Sequence, residues 1–119
     1  MKLNDDEIRQ ALRKMGGWSL TDIGITKFVS MHNWKGTMML ANAIAHLAEV
    51  AWHHPDMLVT FSGIQVTLYS HDEEGITRKD IALATKIDEL IGWNPKKEFE
   101  VLDGTPDSLE YRYIKNNKN

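Results

Sequence analysis

The sequence predicts an α+β fold: a four-stranded antiparallel sheet with three helices on one face, in the order α-β-β-α-β-β-α. Three observations carry that prediction. Apolar residues recur with helical spacing in three separate stretches. Between them lie pairs of short alternating segments, joined by turns too tight for a parallel crossover. Helices with one apolar stripe also need a surface to cover, and a sheet face supplies it. The 119 residues, 42% hydrophobic and 26% charged, suit one domain with one core.

The first helix starts at Asn4, a favourable N-cap, followed by Asp5, Asp6 and Glu7 where the helix dipole favours acids. Ile8, Leu12 and Met15 form its stripe, and Gly16-Gly17 ends it. Residues 18–20 and 25–31 read as a hairpin turning between Asp22 and Gly24. A central helix over residues 35–52 places Leu40, Ile44, Leu47, Ala48 and Ala51 on one side. Pro55 disfavours a helical His54 and so closes that helix at about His53. Residues 58–61 and 64–69 make a second hairpin around Ser62-Gly63. Thr77 begins the last helix, with Leu83, Ile87, Leu90 and Ile91 on its buried face, and Trp93-Asn94-Pro95 stops it. In the C-terminal extension, residues 96–119, the apolar Phe99, Val101, Leu109, Tyr111 and Tyr113 suggest a further hairpin around Asp103-Gly104, with a loose tail from Asn116.

Composition narrows the function. Net charge is −3 with both signs interspersed, so nothing argues for nucleic acid. Cysteine is absent, which removes disulfides and thiolate metal sites. The N-terminal Met1-Lys2-Leu3-Asn4-Asp5-Asp6 lacks the apolar segment of a secretory signal. Residues 38–51 are the longest apolar stretch, but Asn42, His46 and Glu49 break it and it is too short to span a bilayer. The expectation is a cytoplasmic protein without a membrane partner.

The chemistry concentrates in Glu49-Val50-Ala51-Trp52-His53-His54-Pro55 and in His71-Asp72, which begins sixteen residues after the proline. Imidazole is the side chain that ordinarily exchanges protons near neutral pH. Two adjacent histidines at a helix end, with a third at a strand end, therefore suggest an acid–base site. Each has a blander reading. His53 or His54 would be favoured at a helix C-terminus simply as a cation, and His71 could be a surface loop residue. Glu49 precedes His53 by one turn and is placed to orient its ring. Thr77-x-x-Asp80 reads as a capping box, yet Asp80 shares a helix face with Leu83, Ala84, Ile87 and Ile91; a cap, an inward-pointing acid, or both remain open. His46, Glu49, His53, His54 and His71 could in principle ligate zinc, but their spacing matches no familiar metal motif.

At these residues the chain resembles the pterin-4a-carbinolamine dehydratases. The family pattern is an acidic or related residue, three residues, His-His-Pro, then an aromatic, a His and an Asp; here it reads Glu49, His53-His54-Pro55, Phe61, His71 and Asp80. The segment from His71-Asp72 to Thr77-Arg78-Lys79-Asp80 is similar to the family's His-Asp-x-Gly-Gly-Leu-Thr-x-x-Asp. The likeness covers roughly residues 4–92, and it implies a dehydratase-like domain over residues 1–95. Two positions depart from the pattern: Phe61 stands where Tyr or Trp is usual, and Met57 where a Trp often follows the proline.

The resemblance implies dehydration of 4a-hydroxytetrahydropterin to the quinonoid dihydropterin, recycling a tetrahydrobiopterin-type cofactor after aromatic amino-acid hydroxylation. It implies His53, His54 and His71 as catalytic residues, and Glu49, Pro55, Phe61, Ser70, Asp72 and Asp80 as substrate-binding or supporting ones. No metal and no cofactor is implied. A homodimer or homotetramer is. Two other readings follow from the same resemblance: a non-catalytic dimerisation or assembly partner, as some relatives are, and a dehydratase acting on another pterin.

Overall fold

Asn4 and Glu7 start the chain's first helix by capping each other. The Glu7 amide donates to Asn4 Oδ1 at 2.8 Å and the Asn4 amide donates to Glu7 Oε1 at 3.0 Å. The computed structural model describes residues 1–115, and the expected tail from Asn116 lies outside them. Helix α1 (Asp5–Leu12) buries Ile8 and Leu12; the hairpin β1 (Ser19–Thr21) and β2 (Gly24–Ser30) follows. Then come α2 (Trp34–Ala51), β3 (Asp56–Thr60), β4 (Gly63–Leu68) and α3 (Arg78–Ile91). The predicted order therefore holds, with ends shifted by a few residues.

The sheet runs β1-β2-β4-β3, every neighbour antiparallel. Register places Ile25 beside Leu68, and Val29 beside Ile64, which also pairs with Val59. Period-2 alternation sends these side chains to the same face. There they meet Leu40, Ile44 and Ala48 of α2, Leu83, Ala84 and Ile87 of α3, and Ile8 and Leu12 of α1. Fully burying one such aliphatic side chain stabilises by roughly 1.5–3 kcal/mol. The opposite face, with Phe28 and Leu58 exposed, is left open. Trp18 Nε1 and Lys27 Nζ both donate to Asp88 Oδ1, at 2.9 and 2.8 Å, and tie the first hairpin to α3.

Pairing of β3 with β4 decides which residues can meet. Asp56 lies opposite Thr67 and Thr60 opposite Gly63. The start of β3, just after His-His-Pro, thus sits beside the end of β4, just before Ser70 and His71.

The C-terminal extension does not form the expected hairpin. A short helix α4 (Pro95–Glu98) is followed by turns, and no strand occurs in residues 99–115. Phe99, Val101, Leu109 and Tyr111 stay exposed. The extension instead returns to the β2–α2 junction. The His32 amide donates to Tyr113 O at 2.8 Å, the Lys115 amide donates to Ser30 O at 2.9 Å, and Ile114 bridges to Met31. Gly36 permits this approach, since a Cβ there would stand 2.4 Å from Tyr113 Cβ.

Candidate active site

The end of α2 aims the two histidines apart. Trp52 adopts the left-handed conformation (φ 54°, ψ 45°). Its amide donates to Glu49 O at 3.2 Å and the His53 amide donates to Ala48 O at 3.1 Å. This pair of bonds is the Schellman arrangement, which satisfies the last carbonyls and turns the chain off the helix axis. His53 is carried toward α3, while His54 folds back along the last turn of α2.

Asp80 receives His53. It is wholly buried (0% exposed), and its Oδ1 accepts from His53 Nε2 at 2.6 Å. Its Oδ2 accepts from Ser70 Oγ at 2.7 Å and from the Thr77 amide at 2.9 Å. Because the Ser70 hydrogen goes to Asp80, the Thr77 hydroxyl donates to Ser70 Oγ, at 2.8 Å. Asp80 is thus the capping-box acid of α3 and an inward-pointing acid at once. A carboxylate only accepts, so Nε2 of His53 carries the hydrogen, and the tautomer is set from behind the ring. Nδ1 has no partner among the described residues and is not buried; it opens to solvent.

Glu49 pairs with His54, not with His53. His54 Nε2 donates to Glu49 Oε1 at 2.9 Å, with both side chains at least half exposed. The expected i to i+4 partnership fails because the left-handed Trp52 breaks helical spacing before His53. Pro55 follows and leads into β3. The Trp52 ring meets His54 edge-on, with centroids 5.0 Å apart.

Ser70, whose hydroxyl donates to Asp80, ends the second hairpin, and His71 follows it in the chain. Ser70 bridges to Gly75, closing a tight loop that holds His71 and Asp72 at the surface. The His71 ring stands edge-on to Tyr69 at 5.0 Å. Asp72 makes no hydrogen bond or ion pair among the described residues. Phe61 is not brought to this end. At ~3.3 Å per residue, β3 carries it about 13 Å or more from the histidine pair, and it is 70% exposed in the β3–β4 turn. Leu58 lies on the open sheet face. Among the described residues no three His, Asp or Glu side chains gather as a metal-binding group. A cleft of about 480 Å³ between the end of α3 and residues 103–114 includes none of the three histidines.

Trp52 is not found by the sequence reading. The available signal is a local conflict: a helix stop of this type favours Gly or Asn at the left-handed position, and a Trp stands there instead.

Fold and site together define an α+β protein in which a buried carboxylate holds one histidine of a surface pair. Comparison with known proteins adds the family. A family model described as pterin 4 alpha carbinolamine dehydratase matches residues 1–90. An Aquifex aeolicus (strain VF5) protein, provisionally named pterin-4-alpha-carbinolamine dehydratase, is 46% identical over 90 residues, covering 76% of this chain and 91% of its own. A Sulfurisphaera tokodaii protein of the same provisional name is 41% identical over 90 residues, covering 76% of this chain and 97% of its own. A solved structure described as a transcriptional coactivator/pterin dehydratase from Brucella melitensis superimposes with a TM-score of 0.71 at 29% identity, over 76% of this chain and 98% of that one. The chain belongs to the pterin 4 alpha carbinolamine dehydratase family.

Proposed function

We propose that this protein dehydrates 4a-hydroxytetrahydropterin to quinonoid dihydropterin, with histidines as general acid and base. The observation that carries the reading is the His53–Asp80 pair, which leaves Nδ1 of His53 open on the same helix end as His54. In the reaction the C4a–O bond breaks and the hydroxyl leaves with an added proton as water. A ring nitrogen gives up its proton, and its electron pair closes the new C=N bond. The electron count needs no oxidant or reductant, only one acid and one base, each such group contributing typically ~10²–10⁴-fold.

His53 and His54 form the proton-transfer pair, and His71 binds or polarises the pterin. Asp80, held by Ser70 and Thr77, positions His53; Glu49 positions His54. Pro55 fixes the corner and Asp72 borders the site beside His71. Within one chain, Phe61 stands too far along β3 to line the same pterin. The reading places the activity in residues 1–95, with residues 96–119 as an extension of the same domain. It also places the protein in the cytoplasm as a homodimer or homotetramer, recycling a tetrahydrobiopterin-type cofactor. Among the described residues no helix is long and apolar enough to cross a membrane.

A second reading, a binding partner in an assembly, is favoured by the coactivator description of the Brucella melitensis neighbour. Stopped-flow loss of 4a-hydroxytetrahydropterin absorbance separates the two. A rate well above spontaneous decay, insensitive to chelator, supports the dehydratase; a folded protein with no rate above decay removes it and favours the binding role.

A further inference from the structure

We propose that Trp52 is a further substrate-binding residue, its indole forming an aromatic wall beside His54 for a flat bicyclic heteroaromatic ring. The inference rests on the pterin reading above and names a residue outside its acid–base set.

The first observation is conformational. Among the described residues only Trp52 and Glu74 combine a side chain with positive φ, and both flank the histidines, at the end of α2 and in the His71 loop. An L-residue is disfavoured there because its Cβ crowds the following carbonyl, and such outliers cluster at binding sites. The second observation is the lack of compensation by packing. The capping bonds at this helix end are made by the backbone amides of Trp52 and His53, which a glycine at position 52 would leave intact. The side chain is 74% exposed and outside the core cluster, so burial does not offset the strain.

The third observation is placement. The indole meets His54 edge-on at 5.0 Å with the planes at 80°, leaving most of the indole uncovered. Neither aromatic position expected from the sequence supplies that surface. Met57 pairs with Val66 and packs on the core, and Phe61 stands at the far end of β3. Aromatic faces stack on flat heterocycles with little dependence on their substituents. An indole at the histidine pair would thus grip the ring system and leave proton transfer to the imidazoles.

The test compares Trp52→Gly and Trp52→Phe with the wild type in three measurements: melting temperature, steady-state dehydration, and titration with 7,8-dihydropterin followed by calorimetry. Trp52→Gly should melt at or above the wild-type temperature, because glycine relieves the left-handed strain. Its KM and its Kd for dihydropterin should each rise about tenfold, which is ~1.4 kcal/mol, while kcat falls by no more than about threefold. Trp52→Phe should recover most of the affinity. If wild type and Trp52→Gly bind dihydropterin and turn over alike, the Trp52 assignment is wrong and the dehydratase reading stands. A change of oligomeric state with KM unchanged would make the indole a subunit contact and also overturn it. If the wild type neither binds dihydropterin nor accelerates the reaction, the pterin reading fails and the assignment fails with it.

Discussion

His53 Nε2 lies 2.6 Å from Asp80 Oδ1, although 27 positions separate the two in sequence. This contact joins the C-terminus of one helix to the N-terminus of another. It also fixes which histidine nitrogen faces solvent.

Asp80 is the first place to test that arrangement. Asp80→Ala leaves the Ser70 hydroxyl, the Thr77 amide and His53 Nε2 without their acceptor. Unpaired buried donors cost about 1–3 kcal/mol each before relaxation, so chemical denaturation should show a loss of at least ~2 kcal/mol. Asp80→Asn keeps the side-chain volume but puts a donor among donors. Its dehydration rate should fall by roughly tenfold or more, the scale of one lost transition-state contact, with a smaller stability loss than Asp80→Ala.

The two adjacent histidines should differ in stability and agree in activity. His54 and Glu49 form an exposed pair, so His54→Ala should change unfolding free energy by less than about 0.5 kcal/mol. His53→Ala removes the partner of a fully buried carboxylate and should cost at least about 1 kcal/mol more. Equal destabilisation in urea melts would contradict the assigned partners.

Glu49→Gln tests the corrected pairing. An amide still reaches His54 but no longer holds it as an anion would. Dehydration should slow by about three- to tenfold with stability unchanged within ~0.5 kcal/mol. An unchanged rate would remove Glu49 from the site.

Gly36 and Tyr113 should be coupled. Gly36→Ala places a methyl group against Tyr113 and should destabilise by about 1–3 kcal/mol, the usual range for overpacking. In a Tyr113→Gly background, which removes the Cβ that stands 2.4 Å away, the same change should cost much less, because alanine is otherwise favoured over glycine in a helix by roughly 0.5–1 kcal/mol. Additive effects in a double-mutant cycle would show that residues 112–115 do not pack on α2 in solution.

Much of this was legible in sequence, for identifiable reasons. The strands showed because Ile64, Val66 and Leu68 alternate against a single covered face, and Asn4 and Thr77 announce their helices by capping chemistry. Asp80 was readable as both a cap and an inward acid, and it serves as both. Glu49 was matched to the wrong histidine, because i to i+4 spacing assumes a continuous helix and Trp52 breaks it. The predicted C-terminal hairpin had the alternation of a strand pair, but the segment forms α4 and turns instead, and Tyr113 and Ile114 pack against the core. Distance along β3 separated Phe61 from the histidines, and sheet register is set by pairing that no local pattern shows.

The most direct test is the rate of 4a-hydroxytetrahydropterin loss with wild type, His53→Ala and His54→Ala, each shown to be folded. Acceleration by the wild type that falls at least tenfold in both variants is the result predicted here. Acceleration that survives loss of both histidines, or none in the wild type, would contradict the account.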